Sequence, residues 1–141
     1  MAENLLAGKI AKARVVLGSM KPDKTNSEQK YKYISADKIL ERVGDVFGEM
    51  GIAVIPSVTE STVVTVERVG KTSRIDATLK MSFRITDGLN EYSTDWIGSG
   101  SDYTTPDKAV YKAMTSGHKY FLTKLLNIGV GNEDGEHENG E

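Results

Sequence analysis

The sequence has no cysteine, two histidines, three prolines, one tryptophan and no long apolar run. Without cysteine there are no disulfides, thiol nucleophiles or cysteine metal sites, and nothing points to an oxidising compartment, so the cytoplasm is expected. With only His118 and His137, neither a histidine metal cluster nor a Ser/His/Asp arrangement can be assembled, and His118 is expected as a partly exposed helix residue. No stretch approaches the ~20 apolar residues that a membrane span needs, so a soluble protein away from membranes is expected. A length of 141 residues suits one domain with one sizeable core.

The formal charge of −2 conceals an asymmetry. Glu133, Asp134, Glu136, Glu138 and Glu141 place five acids in the last eleven residues with no Lys or Arg among them. Residues 1–130 then carry 18 basic against 15 acidic side chains, a body of +3. The expected organisation is a core domain over 1–130 and an acidic, disordered tail over 131–141. Residues 1–34 are the most basic part, with Lys9, Lys12, Arg14, Lys21, Lys24, Lys30 and Lys32 against Glu3, Asp23 and Glu28.

Periodicity predicts an α+β fold. Leu6, Ile10, Ala13 and Leu17 give residues 4–17 one apolar helical face, and Gly18 is a stop signal. "SMKPDKTNSEQK" is polar and aperiodic, which predicts an exposed loop. Ser35 is an N-cap for a helix carrying Ile39, Leu40, Val43, Val46, Phe47 and Met50, with Gly51 at its C′ position. Strands follow at "IAVIPSV", "TVVTVERV", residues 74–85 and "EYSTDWIG". The third is the clearest, since Ile75, Ala77, Leu79, Met81, Phe83 and Ile85 alternate with polar residues, and Asp87-Gly88 signals a hairpin. The expected architecture is an antiparallel meander of three to four strands, preceded by two helices and packed against a long C-terminal helix. Thr105 and Pro106 start that helix, Val110, Ala113, Met114, Gly117, Phe121, Leu122 and Leu125 form its inner stripe, and Gly129 and Gly131 end it. Lys108, Lys112, Thr115 and Lys119 are expected on its opposite, solvent side.

Two segments resemble catalytic patterns. "GKT" at 70–72 lacks the earlier glycine of a phosphate loop and joins strands, so it reads as a hairpin turn. Pro22-Asp23 with Glu28-Gln29-Lys30 resembles the metal-binding carboxylates and lysine of a large nuclease group, but lies in a polar loop without the rigid support a metal needs. Binding chemistry fits better. Lysines on one helix, Arg74, Lys80 and Arg84 on the wet face of a strand, and tyrosines 31, 33, 103, 111 and 120 among the cations supply charge neutralisation and stacking for single-stranded nucleic acid. Solvated surface lysines and core-edge tyrosines are the plain alternative.

The chain resembles the Erf family, the essential recombination function proteins of bacteriophages and prophages, which are single-strand annealing proteins. The likeness runs through "KPDKTN", "YKYISADKILERVGDVFGEMGIAVIP" and, most specifically, "GSGSDYTTPDKAVYKAMTSGHKYFLTKLLNIG". The last block is also similar to the conserved helix of the eukaryotic ring-forming annealing and recombination mediator family. These resemblances imply ATP-independent annealing of complementary single-stranded DNA, with no catalytic residues, metal or cofactor, in the cytoplasm of a bacterial host. They put Lys112 and Lys119 at phosphate-contacting positions, although Tyr120 and Thr123 stand where the second family has arginines. The expected contacts are Lys112, Lys119, Lys108, Lys80, Arg84, Arg74, Lys32 and Tyr33, in a groove floored by strand residues and walled by helix lysines, after glycines that let the chain leave the sheet. Implied partners are further copies in a ring or helical filament, and a phage exonuclease or host single-strand-binding protein. The alternative is a non-annealing DNA-binding or protein-interaction module.

Overall fold

In the computed structural model, which describes residues 5–28 and 30–129, the elements are α1 (Leu5–Leu17), β1 (Lys24–Asn26), β2 (Tyr31–Tyr33), α2 (Ala36–Met50), β3 (Ala53–Val66), β4 (Arg74–Thr86), β5 (Glu91–Asp102) and α3 (Pro106–Leu126). The fold is α+β: two helices precede a three-stranded antiparallel sheet in the order β3-β4-β5, and α3 packs on that sheet. The acidic segment 131–141, with His137 and the expected helix stop at Gly131, lies outside the described residues. Two compact units are distinguished, residues 1–51 with 122–141, and Ile52–Phe121.

The second unit is built around the alternation of β4. Ile75, Ala77, Leu79, Met81, Phe83 and Ile85 are all buried, while Thr78, Lys80 and Arg84 between them are exposed. The two segments expected as separate first strands, "IAVIPSV" and "TVVTVERV", are joined in the single β3, which ends at Val66 and has one register shift between Val58 and Glu60 where it pairs with β4. A bulge lets one strand absorb the irregularity that looked like a break in the pattern. Asp87 closes the β4–β5 turn, its Oδ1 accepting from the backbone N–H of Leu89 at 3.0 Å and of Asn90 at 2.8 Å, with Gly88 at φ 92°.

Helix α3 presses on β4 and β5 through Ala109, Ala113, Gly117 and Phe121. Phe121 stacks on Phe83 at 4.2 Å between ring centroids and meets Trp96 edge-on at 6.0 Å. Gly98 and Gly100 lie within β5 itself, which corrects the expectation of a glycine hinge leaving the sheet. Their role is close approach: a Cβ on Gly100 would lie 2.5 Å from the Ala113 nitrogen, and one on Gly98 would overlap the Ala113 carbonyl. The buried face is also rotated from the expected stripe, since Met114 is 40 % exposed while Ala109 is fully buried.

In the first unit, α1 buries Leu6, Ala13 and Leu17, and Arg14 Nε donates to the Leu125 carbonyl at 2.9 Å. Helix α2 starts and stops as its sequence dictates. The Ser35 hydroxyl accepts from Lys38 N at 3.2 Å, and Gly51 takes the left-handed conformation at φ 74°. Ile39, Val43, Val46 and Phe47 form its buried face. Helix α3 ends on Asn127 at φ 57°, with Ile128 N donating to the Thr123 carbonyl at 3.0 Å. Asparagine thus fills the left-handed position for which glycine was expected.

Candidate nucleic-acid interface

The expected site residues fall into four groups. Lys108 and Lys112 lie exposed on the first half of α3, next to Tyr111, which is 69 % exposed, and Met114. Together with Asp107 and Val110 these side chains line a shallow depression. Lys112 Nζ donates to the Asp102 carboxylate at 2.8 Å and to the Ser101 carbonyl at 3.2 Å. Asp102 is buried, and its second oxygen accepts from Thr104 N at 2.9 Å, Thr105 N at 3.2 Å and the Thr104 hydroxyl. The bond from Lys112, followed by those from Thr104, holds this carboxyl far below the usual carboxylate range. Hydrogen bonding by the Thr105 hydroxyl likewise lowers Asp107 in the first turn of the helix.

Arg74, Lys80 and Arg84 occupy the other face of the sheet. They alternate with the buried residues of β4, so they point away from the side on which α3 packs. The expected groove, floored by these cations and walled by the α3 lysines, is therefore not formed within one chain: period two sends the two rows to opposite sides of the sheet. Each of the three is also paired. Arg74 Nε meets Asp76 at 2.8 Å, Lys80 meets Glu60 at 3.5 Å and Arg84 meets Glu91 at 3.4 Å. Asp95, exposed on the same face opposite Ser82, leaves that surface without a cationic excess.

Lys119 departs most from expectation. Only 4 % of it is exposed, and its ammonium sits 5.1 Å from the centre of the Tyr120 ring. The helical offsets put it on the same side as Lys112, but the buried arc of α3 is wider in its second half, where Lys119, Phe121, Leu122 and Thr123 are all buried. Lys119 is thus a packed residue and not the solvent-facing one that its spacing predicted.

Lys32 and Tyr33 belong to the first unit, on a short hairpin that periodicity did not reveal because each strand has three residues. Thr25 faces Lys32 and Lys24 faces Tyr33 in the register. Lys32 is exposed, Tyr33 half-buried, and the Tyr31 and Tyr33 rings lie 5.9 Å apart at 59°. Lys24 and Lys30 are exposed on the same hairpin, so it is rich in cations next to aromatic rings.

The nuclease pattern is not assembled. Asp23 accepts from the backbone N–H and the hydroxyl of Ser35, both at 2.7 Å, and these bonds lower its carboxyl, the backbone bond most. Both oxygens thus fasten the preceding loop to the start of α2. Among the described residues no group of three or more His, Asp or Glu side chains is placed to hold a metal ion. His118 is half-buried, 5.4 Å from the Phe83 ring, and burial lowers its pKa. No helix among the described residues is long and apolar enough to cross a membrane.

Sequence reasoning missed Asp102, although its signal was present as an aspartate two residues after Gly100 and ten before Lys112. No curated protein matches the sequence. A family description does, over residues 6–141, so that both units carry its pattern. The chain belongs to the ERF superfamily.

Proposed function

We propose that this protein binds single-stranded DNA and promotes pairing of complementary strands without nucleotide hydrolysis, in homologous recombination of the phage type. The observation that carries this is membership of the ERF superfamily across residues 6–141. Two surfaces support it. The outer face of α3 offers Lys108 and Lys112 beside the exposed Tyr111, and the β1–β2 hairpin offers Lys32 with Tyr33. Backbone neutralisation by lysine and stacking on tyrosine, about 1–3 kcal/mol per base, leave Watson–Crick edges free. Strand pairing is downhill once phosphate repulsion is offset, so such a protein acts as a binder and aligner. The paired cations of β4 are secondary contacts in this scheme, because a phosphate must compete there with carboxylates of equal exposure.

Self-association is part of the same proposal, since copies side by side would join their binding surfaces into one track for a long strand. Strands β3 and β5 are the two edges of the sheet and give it room to meet another copy.

Mixing fluorescently labelled complementary oligonucleotides provides the test. The protein should accelerate their pairing without ATP, and Lys108→Ala with Lys112→Ala should slow it and weaken binding. A protein that bound DNA but delayed pairing would be a protector instead. One that did not bind DNA at all would be an interaction module.

A further inference from the structure

We propose that Asp102 is a positioning residue of this interface: it fastens the Lys112 ammonium at the β5–α3 junction and thereby sets where a DNA phosphate is held. The inference rests on the reading of Lys112 as a phosphate contact. It comes from comparing the ion pairs of the sheet and α3. In three of them acid and base are about equally exposed: 37 % and 34 % for Arg74 and Asp76, 63 % and 69 % for Lys80 and Glu60, 50 % and 52 % for Arg84 and Glu91. To an approaching polyanion each of these is a near-neutral pair. At Lys112 the exposures differ, 54 % for the lysine side chain against 11 % for Asp102. The carboxylate is withdrawn from water while half of the lysine side chain remains in it, so the exposed partner of the pair is the cationic one.

The hydrogen bonds explain how the lysine is held. An ammonium has three donors. Two are taken, by Asp102 Oδ1 at 2.8 Å and the Ser101 carbonyl at 3.2 Å. The side chain is thus ordered before DNA arrives, and one donor is left for a phosphate oxygen, an arrangement that lowers the entropic cost of binding. Asp102 is itself anchored, since its Oδ2 accepts from Thr104 N, the Thr104 hydroxyl and Thr105 N at the entry to α3. One carboxylate therefore ties the end of β5, the entry to α3 and a lysine in the second turn of that helix.

Asp102→Asn separates these duties. Its amide oxygen can still accept from the Thr104 and Thr105 N–H groups, while its NH₂ would face the ammonium, donor against donor, so the helix entry is kept and the clasp is lost. Binding of a labelled oligothymidine is measured across a NaCl series for wild type, Asp102→Asn, Lys112→Ala and the double variant, with thermal unfolding recorded alongside. Expected are a roughly three- to tenfold weaker affinity for Asp102→Asn and no further loss when it is added to Lys112→Ala, because coupled residues are not additive. Weakening by Lys112→Ala with no change, or tighter binding, in Asp102→Asn would overturn the role of Asp102 and leave Lys112 as a contact. No effect of Lys112→Ala would overturn the phosphate reading, and this inference with it. Should Asp102→Asn fail to fold, side-chain ammonium NMR of the unaltered protein decides: Lys112 should show a protected, ordered NH₃⁺ signal that Lys108 lacks, and equal averaging of the two would refute the clasp.

Discussion

Lys108, Lys112 and Lys119 are one residue type on one helix, yet their surroundings give them three different chemistries. Lys108 is a solvated cation, Lys112 a clasped one, and Lys119 a side chain 4 % exposed with its ammonium over the Tyr120 ring. A buried lysine acts through its aliphatic stem and its cation–π contact as much as through charge. Lys119→Ala should therefore lower stability by about 1–2 kcal/mol in urea unfolding while leaving the salt dependence of DNA binding intact. Lys108→Ala should do the reverse, reducing the slope of log K against log salt by about one at unchanged stability. The helical offsets of the three lysines were legible in the sequence, but which of them meets water depends on how wide an arc of the helix is buried at each turn.

At the scale of elements, the fit of α3 on the sheet depends on what β5 does not have. Gly98 and Gly100 face a helix whose buried side is Ala109, Ala113 and Gly117, and a Cβ on Gly117 would come within 2.6 Å of the Met81 sulfur. Small residues on both sides bring backbone against backbone. Gly100→Ala would put a methyl 2.5 Å from the Ala113 nitrogen and 2.8 Å from the Ala109 carbonyl, neither of which can yield as a flexible side chain would. A loss of about 1–3 kcal/mol or more is expected by thermal or denaturant unfolding. Gly44→Ala serves as the contrast, because nothing lies within 4 Å of its Cβ position and it sits inside α2, where alanine is preferred by up to ~1 kcal/mol. The Gly-x-Gly pattern was visible from the start, but flexibility and close packing use the same residue. Only the register of β5 beside α3 separates them.

At the scale of the whole molecule, β3 is the feature that a single chain leaves unfinished. It is an edge strand of 14 residues, exposed along nearly its whole length, and Glu60 is its one charged residue. Val58 and Val63 lie on the same sheet face as the buried row of β4 but remain 42 % and 44 % exposed. Proteins usually guard such edges with lysines, prolines or bulges, and here Pro56 and the irregularity at Val58 protect one half while Ser61 to Val66 is uncharged. If copies of the chain associate through this edge, Val63→Lys should shift analytical ultracentrifugation profiles towards the protomer without lowering its melting temperature. Unchanged assemblies would place the contact between copies elsewhere.

The sequence by itself determined the α+β class, the caps of α2, the turn at Asp87-Gly88, the buried face of β4 and the family pattern, because each depends on neighbours a few residues apart. Period two also put the β4 cations on the face away from the core. Tertiary structure alone decided that Lys119 is covered, that Lys80 and Arg84 meet Glu60 and Glu91 on neighbouring strands, and that Asp102 holds Lys112. Those outcomes turn on which side chains from distant segments meet, and on how far each is withdrawn from water, which spacing along the chain does not encode.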